Sequence, residues 1–256
     1  MLPDTKPIFR KLPGEDAMVY VLGDCHIGAA DCDMKGLEAF IDNVADDDNA
    51  YLVMVGDILQ NSLKSSVGSV YLDQIAPPSA QKEMARQLLW KVKDKVLAAV
   101  GGNHEARSLK EVDDDPLYDV FCALGIQSVY RRNMAFLRVK LQEGTIRHSW
   151  NFLCMHGKSE NKAKNFAYAV EGIDIYCTGH THTGKVTKPS KLVFTQRGKI
   201  VMQDIVHITG TSWLDYSKCG YAATSQLMPT ATSSPACVVL EWQNSHKLAK
   251  KCHVEW

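Results

Sequence analysis

Apolar residues along this chain come in short runs that stop abruptly at glycine. Residues 17–22 (AMVYVL) end at Gly23, 51–55 (YLVMV) at Gly56, and 96–100 (VLAAV) at Gly101 and Gly102. Continuous apolar runs of this length predict strands covered on both faces, because a strand with one wet face would alternate. Between the runs the spacing becomes helical. Residues 34–45 predict one helix, and 79–95 predict a longer one with Met84, Leu88, Leu89 and Val92 facing the core. A third helix over 117–124 is closed by Gly125. Strands are then expected at 128–130, 134–140 and 150–155, a helix over 161–170, and a strand over 173–177 (IDIYC). From Gly184 onward the pattern predicts strands at Val186, 192–195, 200–208 and 236–242, with 221–235 as the most loop-like stretch. Helices interleaved with fully apolar strands, followed by a strand-rich second half, predict an α/β fold: a layered α/β-β/α sandwich of two mixed β-sheets flanked by helices, as one domain over residues 1–256.

Composition narrows the partners. Lys plus Arg equals Asp plus Glu at 29 each, so the formal net charge is zero. Tight binding to long nucleic acid usually leaves a basic excess, and none is present. A short or transient nucleic-acid substrate needs only a locally basic groove. The N-terminal residues carry no apolar run of signal-peptide type, and no stretch has the length of a membrane span. Eight cysteines are scattered without a CxxC pair, and Cys154 and Cys177 fall inside apolar runs. They are expected as buried free thiols of a reducing cytoplasm rather than as bridges.

The chemistry gathers where the apolar runs end. Five of them terminate in polar motifs: Gly23-Asp24-Cys25-His26, Gly56-Asp57, Gly102-Asn103-His104-Glu105, His156-Gly157 and Gly179-His180-Thr181-His182. Sites in α/β sheets collect at the carboxyl ends of strands, so these loops can converge. Carboxylate, amide and imidazole donors suit hard-to-borderline divalent metals, and the absence of cysteine from the obvious ligand positions argues against a structural zinc site. Two residues separated by one on an extended segment point the same way, which would let Asp24 with His26, and His180 with His182, each face one ion. With Asp57, Asn103 and His156 the set reaches seven ligands, too many for one tetrahedral ion and suited to two that share a carboxylate. Taken singly, each motif has a bland reading, since Gly-Asp is ordinarily a turn and a buried histidine is ordinarily a hydrogen-bonded core residue. His148, His207, His246 and His253 take that bland reading, and Cys25 is expected to turn to the opposite face, into the core. Five of the nine histidines lie in the motifs, however, and every motif follows an apolar run.

In this set and order the motifs resemble the calcineurin-like metallophosphoesterase superfamily, whose pattern runs GDxH, GD, GNH followed by an acid, a histidine-glycine, and GHxH. The resemblance covers about the first three-quarters of the chain and implies the same sandwich of two sheets. It implies that Asp24, His26 and His182 hold one metal, that Asn103, His156 and His180 hold a second, and that Asp57 bridges both. His104 matches the catalytic histidine and Glu105 a supporting acid. Such a site implies two divalent ions per chain, with Mn expected and Fe, Zn, Co or Ni accepted by the same donors. Two cations about 3.5–4 Å apart turn a bridging water into a hydroxide nucleophile near neutral pH. A histidine then protonates the leaving oxygen.

Substrate is less legible. Arg107 reads either as a phosphate contact or as an ordinary exposed arginine, and Asn61 either as a loop residue reaching the metals or as a turn cap. Lys158, Lys162 and Lys164 line a cleft mouth or a solvated helix face. The stretches 61–71 and 174–182 resemble phage- and prophage-type phosphoesterases. A phosphodiester substrate, a nucleotide or nucleic acid among them, is the first expectation. A phosphomonoester is second, since Asp57 is followed by Ile58-Leu59-Gln60-Asn61 without the arginine of protein phosphatases. A metal-free binding scaffold would show broken ligand positions, and none is broken here.

Overall fold

The computed structural model describes residues 6–66, 73–143, 146–158, 169–217, 235–243 and 249–255. The first half alternates strand and helix: β1 (Ile8–Pro13), β2 (Asp16–Leu22), α1 (Met34–Asp46), β3 (Ala50–Met54), α2 (Pro78–Trp90), β4 (Val96–Val100), α3 (Glu105–Val112) and α4 (Pro116–Ala123). The second half is built of strands: β5 (Tyr130–Arg131), β6 (Met134–Glu143), β7 (Ile146–Met155), β8 (Ile175–Thr178), β9 (Lys185–Thr187), β10 (Ser190–Phe194), β11 (Ile200–Asp204), β12 (Val206–Thr209), β13 (Cys237–Gln243) and β14 (Ala249–Glu255).

Two six-stranded sheets result, both mixed. One has the order β1-β6-β7-β8-β12-β9 and the other β14-β13-β2-β3-β4-β5. Strands β2, β3, β4 and β5 run parallel, as the continuous apolar runs predict, and β13 closes antiparallel on β2. The sheets face each other across a core that includes Val19, Val53 and Leu97 from one and Val139, Trp150 and Phe152 from the other. The outer face of the second sheet is covered by α1, α2 and α4 through Leu37, Ile41, Leu88, Leu89 and Phe121, packed on Leu22, Leu52 and Met54. Asp33 caps α1 by accepting from the Gly36 amide at 3.0 Å.

The sandwich is therefore the expected one, with several local differences. The 79–95 helix stops at Trp90 and is followed by a tight 3-10 turn over Lys93–Lys95, although Val92 is buried as expected. Residues 127–129 form a second such turn, and the strand there begins only at Tyr130. The apolar stretch 200–208 is two strands: β11 pairs with β10 in a separate two-stranded ribbon, whereas β12 enters the first large sheet between β8 and β9. Strands β1 and β14 went unforeseen because each is an edge strand, where charged residues interrupt the apolar signal. The expected helix at 161–170 falls largely, and the loop at 221–235 almost wholly, outside the described residues, as do Lys162, Lys164 and His246. Cys154 and Cys177 are buried free thiols, side by side in register on β7 and β8. Among the described residues no helix is long and apolar enough to cross a membrane.

Candidate metal centre

Loops from both sheets meet at one end of the sandwich. Asp24 and His26 follow β2, Asp57 follows β3 and Asn103 follows β4, all on one sheet. His156 follows β7 and His180 and His182 follow β8, on the other. The loops after β2 and β3 are zipped together, the amides of Asp24, His26 and Ile27 donating to the carbonyls of Gly56, Asp57 and Ile58 at 2.8–3.0 Å. Their backbone is not extended, contrary to the spacing argument above. Asp24, His26, Asp57, His180 and His182 all have positive φ, between 49° and 74°. A side-chain-bearing residue in this left-handed region costs about 1–2 kcal/mol, so five such residues in one place mark a strained site held by its surroundings. The paired residues still face the centre, but through tight left-handed turns. Glycine matters here for its missing side chain: a Cβ on Gly179 would lie 2.9 Å from Asp24 Oδ2 and 3.2 Å from His156 Nδ1.

All seven expected ligands converge, in two groups joined by Asp57. In the first, His26 Nε2 lies 3.1 Å from His182 Nε2, and His182 Nε2 lies 3.5 Å from Asp24 Oδ1. In the second, His156 Nε2 lies 3.1 Å from Asp57 Oδ2, 2.9 Å from Asn103 Oδ1 and 3.3 Å from His180 Nδ1. His180 Nδ1 is itself 2.7 Å from Asn103 Oδ1. Asp57 also belongs to a close group with His26 and His104, which places it between the two sets. The first set is fully buried, whereas in the second His180 is half-buried and Asn103 is exposed.

A ring of supporting contacts was not visible in the sequence. Gln60 Oε1 takes His26 Nδ1 at 3.0 Å, Val55 O takes His156 Nδ1 at 2.8 Å, and the Tyr216 hydroxyl meets His182 Nδ1 at 2.9 Å. Fixing one ring nitrogen aims the other at the centre. A lone glutamine in a loop and a tyrosine 34 residues downstream of its histidine give no sequence signal; only Gln60's place just after Gly56-Asp57 hints at a role. Glu105 is a support, as expected: its carboxylate accepts from the amides of Asp57, Leu59 and Gly102 at 2.8–3.0 Å. Cys25 lies in the core. His207 is a buried core residue bonded to Thr178.

The substrate-contact candidates divide. Asn61 is wholly buried, its amide nitrogen donating to the His104 carbonyl at 2.7 Å and its oxygen accepting from Ser108 Oγ at 3.1 Å. It holds the backbone of His104. Arg107 does enter the centre: Nη1 donates to the Gln60 carbonyl at 3.1 Å and Nη2 to His104 Nε2 at 2.9 Å. His104 is thus held at both ring nitrogens, with Nδ1 donating to the Gln60 carbonyl at 2.6 Å. Burial lowers its pKa to about 4, in spite of the Asp57 carboxylate 3.9 Å away.

The protonation pattern matches a cation-binding cluster. Burial, then the neighbouring His104 and His182, holds His26 well below the usual histidine range, so it is neutral. With Nδ1 committed to the Gln60 oxygen, His26 Nε2 presents a lone pair to another imidazole nitrogen and a carboxylate. Burial alone would raise the Asp57 carboxyl, but His156 and His104 override it and hold the pKa well below the usual range. Burial likewise opposes charge on His156, yet the Asp57 carboxylate beside it lifts its pKa to about 10. Glu105 is pushed up to about 7 by burial and then by Asp57. A single proton on His156 therefore sits among Asp57, Asn103 and His180, where acceptor atoms crowd from several sides. Divalent cations satisfy such crowding better than protons can, and the oxygen and nitrogen donors fit Mn, Fe, Zn, Co or Ni.

The sequence pattern described as calcineurin-like phosphoesterase matches residues 17–184. No curated protein matches the chain. Similar solved structures include vacuolar protein sorting 29 from Cryptosporidium parvum, 16% identical, covering 94% of this chain and 99% of that one, with a TM-score of 0.46. Vps29 from Entamoeba histolytica complexed with zinc is 13% identical over 93% of this chain and 98% of that one, TM-score 0.39. The nuclease MPE of Pseudomonas putida is 16% identical over 91% and 87%, TM-score 0.36.

Proposed function

This chain belongs to the calcineurin-like phosphoesterase family, and from that premise we propose that it is a metal-dependent phosphoester hydrolase that binds two divalent cations and acts first on phosphodiesters. The observation that carries the reading is the pair of ligand groups, Asp24–His26–His182 and Asp57–His156–His180, each with its donor atoms within 4.8 Å of one another. Asp24, His26 and His182 would hold one ion, Asn103, His156 and His180 the other, with Asp57 shared. When bound, such ions supply the positive charge that neutralises a phosphoryl group and makes water acidic enough to attack it near neutral pH.

The protein's own groups do the rest. Gln60, Val55 and Tyr216 hold Nδ1 of His26, His156 and His182, so that Nε2 of each ring is aimed inward. Arg107 offers a guanidinium that already lies in the centre, and an anionic phosphate draws it off His104. Releasing Arg107 frees His104 Nε2, while the Gln60 carbonyl keeps Nδ1–H fixed and the ring oriented. Nε2 then takes up a proton from solvent water and passes it to the departing alkoxide, a role that matters most for poor leaving groups. A diester brings one negative charge to the scissile phosphate and a monoester nearly two. Arg107 brings one guanidinium to His104 and the Gln60 carbonyl, beside the ligand groups, and one added positive charge suits the diester.

Mn-loaded protein offered bis-p-nitrophenyl phosphate and p-nitrophenyl phosphate tests this. Chelator-sensitive turnover with a higher kcat/KM on the diester is the expected result, with about two metal ions per chain by elemental analysis. Absence of both turnover and bound metal would overturn the reading, and a clear preference for the monoester would overturn the substrate choice.

A further inference from the structure

A cavity of about 470 Å³ opens beside the second ligand group. Asn103, His156 and His180 form one end of it, while Asp24, His26 and His182 are not among its walls. Its sides are apolar where Leu109 and Ala106 of α3 face Met155 of β7 and Tyr130 of β5. These walls are fixed. The Tyr176 hydroxyl donates to the Met155 sulfur at 2.7 Å, and Tyr130 donates to Asp115 at 3.0 Å and stacks on Phe121. Backbone of Gly101, Gly102 and Gly157 also lines it, and a Cβ on Gly157 would meet open space. The rim has a different character: Lys110, Lys158 and Arg132 stand there, with the amide of Asn133. Arg132 is tied to Asp115 at 3.3 Å, but among the described residues no carboxylate pairs with Lys110 or Lys158.

We infer that this cavity seats a single unpaired nucleoside esterified to the phosphate at the metal centre, with the next phosphate of the chain on Lys110 and Lys158. The inference rests on the phosphoester reading above and names its substrate class as nucleotide esters. The volume falls in the range of pockets that enclose a small ligand, about 300–1,000 Å³. The short side chain of a phosphoserine would leave the apolar recess empty, and an acyl chain would find its exit ringed by cations. A nucleoside fills apolar walls with its base, meets Asn133 with a polar edge, and carries a second anion outward to the lysines. Both duplex strands together do not fit such a recess, so entry requires a free or unpaired end.

The test uses Mn-loaded full-length protein and titration calorimetry with three probes: methyl phosphate, thymidine 5′-monophosphate and thymidine 3′,5′-bisphosphate. Thymidine 5′-monophosphate is expected to bind at least tenfold tighter than methyl phosphate, and Leu109→Trp, which fills the recess, to remove most of that ratio. Lys110→Glu, at an exposed helix position that does not threaten folding, is expected to cut the added affinity of the bisphosphate by threefold or more. Equal binding of the monophosphate and methyl phosphate, or ratios unchanged in both variants, would overturn the nucleoside site even if bis-p-nitrophenyl phosphate is turned over. Loss of that turnover with the binding ratios intact would instead overturn the hydrolase reading and leave the nucleotide site standing.

Discussion

At the scale of single residues, the centre is organised around Asp57. Its Oδ2 faces His156 at 3.1 Å, its Oδ1 accepts the His104 amide at 2.8 Å, and its own amide is held by Glu105 at 3.0 Å. Asp57→Asn removes the negative charge that both ligand groups share while keeping the shape. The expected outcome is loss of turnover and weaker binding of both ions, and elemental analysis that still finds two ions per chain would contradict the sharing. His104→Ala is expected to keep the metals and lose about 10²–10⁴-fold in turnover, the range for a removed proton donor. The loss should be steeper on an alkyl diester than on an aryl one; equal losses on both would deny His104 the proton. The seven proposed ligands were legible as a set because their motifs each close an apolar run. Gln60 and Tyr216 were not, since any polar side chain brought there by the fold could have done their work. Asn61 was ambiguous for the same reason: its amide suits a ligand contact or a local cap, and in the fold it donates to the His104 carbonyl.

At the scale of elements, strands were easier to read than the helix that matters most to the site. The run ValLeuAlaAlaVal could only be a covered strand, and β4 is buried along its whole length. Helix α3 (Glu105–Val112) begins inside the Asn103-His104-Glu105 motif, and its buried members are Glu105 and Ser108, so no apolar stripe announces it. Its end is informative. Asp113 terminates α3 in the left-handed region at φ 55°, with its amide bonded back to Leu109 and Ser108 carbonyls. Glycine adopts that conformation without the steric cost, so Asp113→Gly should stabilise the fold by about 0.5–1 kcal/mol. A higher urea midpoint with unchanged kcat is the expected reading, and an unchanged or lower midpoint would count against it.

At the scale of the whole molecule, the ligands are split between the two sheets: Asp24, His26, Asp57 and Asn103 come from one, His156, His180 and His182 from the other. On the proposed function, cations held here would tie the sheets together, so metal should stabilise both sheets at once. Free Mn at about 100 times its dissociation constant adds about 2.7 kcal/mol per site, and at about 2–4 °C per kcal/mol that raises Tm by roughly 5–11 °C for each site. Chelation should reverse the gain. The gain should also grow as pH rises, because His156, lifted to about 10 by the Asp57 carboxylate, must give up its proton before a cation takes its place. A Tm indifferent to chelator at pH 7.5 would show that the sheets gain nothing from the ions.

The split has a consequence for how the centre is made. His26 and His182 stand 3.1 Å apart in the fold yet 156 positions apart in the chain. A polypeptide emerging from the ribosome exposes Asp24, His26 and Asp57 early, but it lacks the imidazoles that complete either ligand group until β7 and β8 have been made and docked. On the proposed function, cation capture would be a late event in biogenesis that follows assembly of both layers, and a fragment ending before Gly179 would leave the carboxylates without the imidazoles of His180 and His182 from the other sheet.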